Sequence, residues 1–131
     1  MSAELDAVLA RLRNGPSGTL NVHDARPENP AYPYVIVYAD AGIRYSDREA
    51  DVRIRRDLTW QTTTVGVSAA QCRAALDRVT DALEDWTPVV AGRTCTKVEH
   101  ELSRPMGRDD SLPDRVVFSS VDQWSAVSDP A

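Results

Sequence analysis

Between Leu58 and Pro88 the chain reads LTWQTTTVGVSAAQCRAALDRVTDALEDWTP. Its first ten residues are rich in threonine and valine, which favour extended backbone. Apolar residues then recur at helical spacing: Cys72, Ala75, Leu76, Val79, Ala82, Leu83 and Trp86. That period gathers them into one stripe facing a core, with Arg73, Asp77, Arg78, Asp81, Glu84 and Asp85 on the opposite face. Ser68 and Gln71 stand three apart at the junction, the spacing of a capping box. Thr87-Pro88 marks the end, because proline disfavours helical backbone in the residue before it. A strand running straight into one long amphipathic helix limits the chain to a mixed α and β class.

The same junction imitates a catalytic motif. Gly66-Val67-Ser68-Ala69-Ala70 approximates the G-x-S-x-G nucleophile elbow, which also lies between a strand and a helix. Its last glycine is replaced by alanine, and the chain is short for the fold that carries the elbow. Only His23 and His100 could serve as the base, the reading that would make this a small serine hydrolase. A capping serine needs no such apparatus, so Ser68 is assigned to the cap and no catalytic residue is expected.

Around this centre the pattern continues. Ser2 to Arg13 predicts a short helix capped by Ser2, with Leu5, Val8, Leu9 and Leu12 as its stripe and Asn14-Gly15-Pro16 as its stop. Thr19–His23 reads as a short strand and Ala25–Pro33, with three prolines, as a loop. Tyr34–Tyr38 (YVIVY) lacks polar alternation, which predicts a central strand covered on both faces. Ala39–Asp57 carries charges of both signs. Val52 and Ile54 alternate with polar neighbours, as in a strand of a long hairpin. A solvated loop and an arm that orders against a partner are equal readings of this segment. Arg93–Leu102 reads as one strand with Thr96, Val98, His100 and Leu102 on one face, and Arg104–Asp114 as a loop. Arg115–Val121 predicts a strand extending towards Trp124, and Ser128–Ala131 a flexible tail. The expected class is α+β: a largely antiparallel sheet packed on one long amphipathic helix, with a short N-terminal helix. One helix layer leaves part of the second sheet face open to a loop or a neighbouring subunit.

At 131 residues the chain suits a single domain, 1–131, with its own core. No apolar run approaches membrane-spanning length. The acidic start Met1-Ser2-Ala3-Glu4 does not resemble a signal peptide, so synthesis in a cytoplasm is expected. Cys72 and Cys95 form no Cys-x-x-Cys and read as free core thiols. A formal charge of −5 without a basic cluster argues against a DNA clamp, which neutralises phosphates with lysine and arginine.

Other chemistry is missing too. His100-Glu101 opens like H-E-x-x-H, but Arg104 stands where the second histidine belongs. Gly15-Pro16-Ser17-Gly18 lacks the lysine of a phosphate-binding loop. Asp109, Asp110 and Asp114 match no calcium-loop spacing. Neither a metal nor a cofactor is expected. Trp60, Trp86 and Trp124 do not sit among arginines as a base-stacking platform would. Trp86 reads as core, and Trp124 as core or as an interface anchor.

Several of these features occur together in one family. The N-terminal helix, Tyr32-Pro33-Tyr34-Val35-Ile36-Val37, the strand Trp60-Gln61-Thr62-Thr63-Thr64-Val65-Gly66, and the helix with Ala75, Val79, Ala82-Leu83 and Trp86 appear in that order. Pro88, Gly92 and a closing Val121-Asp122-Gln123-Trp124 follow. This layout resembles the tail terminator proteins of long-tailed bacteriophages, also termed tail completion or minor tail proteins. The resemblance implies a structural virion protein at the head-proximal end of the tail, without catalytic residues. It implies a homo-oligomeric ring, commonly a hexamer, that caps the tail tube protein, ends its polymerisation and meets the head-completion proteins. DNA would pass through the lumen without specific binding. A head–tail connector or neck protein is the nearest alternative. Family contacts lie largely in loops, which makes Arg44, Arg53, Arg55, Arg56, Arg104, Arg108, Asp109, Asp110 and Trp124 the candidates for subunit or tube contact.

Size and charge accommodate such a ring. A domain of this length has a radius of gyration of about 14 Å, hence a diameter of about 36 Å as a sphere. Six touching spheres enclose a hole of about the same width, wide enough for a duplex. Each copy carries −5, so six carry about −30, which lets DNA slide without sticking if that charge faces the hole. The cap reading of Ser68 has its own test. Ser68→Ala should cost about 0.5–2 kcal/mol of unfolding free energy in urea and remove no activity.

Overall fold

A computed structural model describes residues 2–39, 43–45 and 55–131, with the side chains of residues 2 and 43–45 left outside the description. The elements run α1 (Ser2–Arg13), β1 (Asn21–His23), β2 (Tyr34–Ala39), β3 (Ile43–Tyr45), β4 (Arg55–Gly66), α2 (Ala69–Leu83), β5 (Arg93–Cys95), β6 (Glu99–Ser103), β7 (Gly107–Asp109) and β8 (Val117–Pro130). Val52, Arg53 and Ile54 of the expected hairpin lie outside the described residues, as does the Ser2 side chain. The class is α+β: two helices and a mixed sheet of eight strands among the described residues.

The threonine-rich run before the cap becomes β4, and its alternation decides the sheet's two faces. Leu58, Trp60, Thr62 and Thr64 are buried, while Thr59, Gln61 and Thr63 between them are half-buried. β4 pairs antiparallel with β8 along its length, from Arg56 opposite Ser128 to Gly66 opposite Phe118. β2 and β3 share the other edge of β4, and β1 extends the sheet parallel to β2. β5, β6 and β7 line the outer edge of β8 in turn. Among the described residues only the β1–β2 pair is parallel, so the sheet is mixed.

β2 is a central strand, as its unbroken apolar run predicts. Val35 and Val37 join the main core with Val8, Leu12, Trp60, Val79, Leu83 and Trp124. Tyr34 and Ile36 point to the other face and form a second cluster with Val65 and Val117, against which Tyr32 and Leu112 pack.

The helix layer departs from expectation. α2 stops at Leu83, one turn short of Thr87-Pro88, and α1 packs beside it, so no single long helix covers the sheet. Proline does not set the end. Glu84 donates its N–H to Thr80 O, and Asp85 takes a left-handed φ of 61°, which turns the chain away. The segment then pairs with residue 98: Asp85 N donates to Val98 O at 3.2 Å and Val98 N to Trp86 O at 2.8 Å. Trp86 is therefore half-buried beyond the helix rather than part of its stripe. Arg11 joins the two helices, donating to Ala82 O at 2.8 Å with its guanidinium 5.5 Å from the centre of the Trp86 ring. A cation there suits the carbonyl end of α2, whose own last turn carries no base.

The C-terminal third differs more. The single strand expected at Arg93–Leu102 is two, because the ladder is interrupted at residues 96–98: Thr96 stays bonded to Val127, but Val98 turns to pair with Trp86. A register shift between His100 and Leu102 then turns Leu102 outward, half exposed, while Val98 is fully buried. The loop expected at Arg104–Asp114 contains β7. The expected tail at Ser128–Ala131 is strand as far as Pro130. Arg93 holds it there, donating to Ser128 Oγ at 2.9 Å and Ser128 O at 2.7 Å.

Ser128 leads to the least expected part of the core. Glu4 is 1% exposed and accepts two hydrogen bonds from Arg56, at 2.9 and 3.2 Å, and one from Ser128 Oγ at 3.2 Å. Arg93 Nε lies 4.0 Å away. This network joins α1, β4, β5 and β8 at one end of the sheet. Burial alone would raise the Glu4 carboxyl, but its own backbone N–H, Arg56 and Ser128 outweigh it and hold the group below its ordinary value. Glu4 therefore contributes stability in full above the ordinary carboxylate range and loses it as the pH falls through the folded value. Glu4→Gln should cost about 2–3 kcal/mol near neutral pH, below the figure for a fully buried pair because Arg56 is a quarter exposed. In urea titrations the gap to the unaltered protein should close below about pH 4. A gap that stays constant to pH 3 would rule out this role for the charge.

Candidate functional site

The strand-to-helix junction shows what the serine of the pseudo-elbow does. Ser68 adopts extended backbone (φ −143°, ψ 159°), and its Oγ accepts from Gln71 N at 3.1 Å. Gln71 Oε1 accepts from Val67 N at 2.8 Å, one residue earlier than in the reciprocal box the spacing predicts. Gly66 is needed for close approach: a Cβ there would lie 2.8 Å from Cys72 N and 3.0 Å from Cys72 Cα. The glycine and serine thus have packing and capping roles at this junction.

Among the described residues, no hydrogen bond joins Ser68 to either histidine. His23 packs edge-on against Tyr34, ring centres 6.1 Å apart. His100 Nε2 lies 2.8 Å from Asp122 Oδ1, and the imidazole stacks on Trp124 at 4.3 Å. With the carboxylate accepting, Nε2 carries the proton. Asp122 is 1% exposed and its Oδ2 has no partner among the described residues. Cys72 lies on the same side of the sheet, fully buried, with Sγ donating to Thr64 O at 3.5 Å. Burial pushes its thiol above the ordinary range, the opposite of an activated nucleophile. Both cysteines are free; Cys95 is half-buried rather than in the core. Among the described residues no three His, Cys, Asp or Glu side chains group as metal ligands.

The candidate contact residues that the structure describes do not form one patch. Arg44 lies on β3 opposite Arg56. Arg55 is exposed and donates to Asp57 Oδ1 at 3.3 Å. Arg56 is committed to Glu4 inside the molecule. Arg53 lies outside the described residues. Arg104, Arg108, Asp109 and Asp110 are exposed along β7 and its approaches, near the other end of β8. Hydrogen bonds from Ser111 hold the Asp109 carboxyl below its ordinary range. Arg56 and Arg108 face β8 at Ser128 and Phe118, about 33 Å apart along the strand. Trp124 is no surface anchor. It is fully buried opposite Trp60, and its Nε1 donates to Thr62 Oγ1 at 2.9 Å.

Sequence reasoning missed Glu4 and Asp122, although each carried a signal. Glu4 precedes Val8 and Leu12 at four-residue steps, in line with the apolar stripe of α1. Asp122 is two residues from Trp124, on the same face of β8.

A family model described as "Tail completion protein gp17" matches residues 6–123. The chain belongs to this family. Membership places the tail completion protein in the tail of a phage-type virion and gives it a structural role there. Comparison with curated protein sequences gives no match. Among solved structures, a chain of the "Virion of native gene transfer agent (GTA) particle" has the same fold, with a TM-score of 0.71 and 20% identity. The match covers 97% of this chain and 96% of that one.

The His100–Asp122 pair is structural by this geometry, because its imidazole covers a buried carboxylate at the edge of the core. His100→Ala should cost about 1–3 kcal/mol by stranding that carboxylate, and His100→Gln, which keeps a donor, should cost less. Urea midpoints of the two variants measure the difference.

Proposed function

We propose that this tail completion protein assembles as a ring on the last layer of the tail tube, stops tube growth and presents the opposite surface to the head-completion proteins. Six copies is the stoichiometry we favour, with DNA passing through the lumen. The observation that carries the reading is the family match over residues 6–123. The geometry supports a role without turnover. The serine of the pseudo-elbow is a helix cap, burial pushes the Cys72 thiol above its ordinary range, and the buried carboxylates Glu4 and Asp122 are tied to Arg56 and His100. The single-domain organisation of residues 1–131 belongs to the same proposal.

The charged edges suit assembly better than catalysis. β6 and β7 are exposed along their whole length, and Arg104, Arg108, Asp109 and Asp110 keep this edge soluble before assembly. Arg44 and Arg55 are proposed contacts near the other end of the sheet, and Arg53 is proposed as a further contact. Arg56 is held by Glu4 and is not proposed as a direct contact.

Mixing the purified protein with its tube protein should give tubes of limited length with a ring at one end in negative-stain electron microscopy. Tubes that grow to the same length with and without the protein would refute the terminator role. Labelled protein found at the neck of assembled particles, away from the tube end, would favour the connector position.

A further inference from the structure

The sheet face turned away from the helices carries a groove of about 340 Å³ between the loops around residues 26–32 and 109–112. That is room for on the order of ten waters, hence for a short segment of chain, and Arg26, Glu28 and Asp109 line it beside the aromatic residues. Three tyrosines, Tyr32, Tyr34 and Tyr38, line it above Ile36, Val65 and Val117. The aromatic wall is held in place. Tyr32 and Tyr34 pack with ring centres 5.3 Å apart, Arg115 sits 5.3 Å from the centre of Tyr32, and His23 supports Tyr34. Tyr38 remains 45% exposed.

A complementary feature lies elsewhere on the same chain. Between α2 and β5 the sequence Thr87-Pro88-Val89-Val90-Ala91-Gly92 carries no charge, and Val89 is 89% exposed. The segment is held at both ends: Trp86 O accepts from Val98 N at 2.8 Å, Val90 O accepts from Arg93 N at 3.0 Å, and Pro88 is buried. A segment anchored at both ends, with Val89 exposed, loses little entropy on docking and can place that side chain in an aromatic groove.

The two features cannot meet within one molecule. The segment leads into β5, which pairs with residues 128–130 of β8, whereas Val117 and Ser119 of β8 line the groove. About 30 Å of strand separates them. A contact between copies is then head-to-tail, and repetition of such a contact closes a ring when the rotation allows.

We propose that Val89 and its neighbours dock into the tyrosine groove of the next copy. This rests on the ring reading and names the surface that builds it. Because Val89 is exposed, Val89→Asp should leave the thermal midpoint unchanged. It should weaken self-association by roughly ten- to a hundredfold per contact, the equivalent of one buried valine side chain. Sedimentation velocity and electron microscopy, with and without tube protein, read this directly. In a Cys95→Ser background, Val89→Cys and Tyr38→Cys subunits mixed together should form a disulfide that neither forms alone. If the unaltered protein makes rings and Val89→Asp makes them equally well, or if the mixed disulfide is absent from rings, this contact is refuted while the ring stands. If Val89→Asp rings form but no longer cap tubes, the segment faces the tube and the proposal fails. If the unaltered protein stays monomeric with its tube partner, the ring reading falls and takes this contact with it.

Discussion

Every other part of the structure is arranged around the ladder between β4 and β8. It is the longest pairing in the sheet, and its alternation divides the molecule into a face under the helices and a face open to solvent. Trp60 and Trp124 meet across it, and Thr62 Oγ1 accepts from the Trp124 indole, while Trp60 Nε1 has no partner among the described residues. A slip of one residue would turn the tryptophan of the slipped strand outward and bring that strand's polar face beneath the helices. The short strands at either edge have no such self-sufficiency and depend on these two for their position.

Two buried carboxylates guard that register. Glu4 ties the first turn of α1 to β4, β5 and β8 near Ser128. Asp122 ties β6 to β8 through His100. Each costs desolvation that a hydrocarbon would not; three directed hydrogen bonds compensate Glu4, and one, at Oδ1, compensates Asp122. Such groups contribute less to net stability than to specificity, because an alternative packing would strand them. A structural protein of a phage-type tail benefits from one well-defined arrangement.

Much of this was legible in the residues. The cap at Ser68, the inward stripe of α1 and the double-sided burial of β2 follow from local periodicity, and local periodicity survives in the folded chain. Where the reading failed, a distant segment had intervened. α2 ends early because residues 85 and 86 pair with Val98, and the strand after Gly92 breaks for the same reason. The last residues extend β8 because Arg93 grips Ser128. Trp124, readable as core or as anchor, is settled by the strand that covers it. The candidate contact residues were the least legible: charge and loop composition mark exposure, but not which exposed groups share a surface.

The order of residues alone determined the α+β class, the strand–cap–helix unit and the absence of a complete catalytic motif, because each rests on neighbours within a few positions. Tertiary structure alone decided which charges are internal, where α2 ends, and that the aromatic groove and the apolar segment after α2 lie on opposite ends of the sheet. Those outcomes depend on cross-strand register and on partners as far apart as Glu4 and Ser128, which no local pattern encodes.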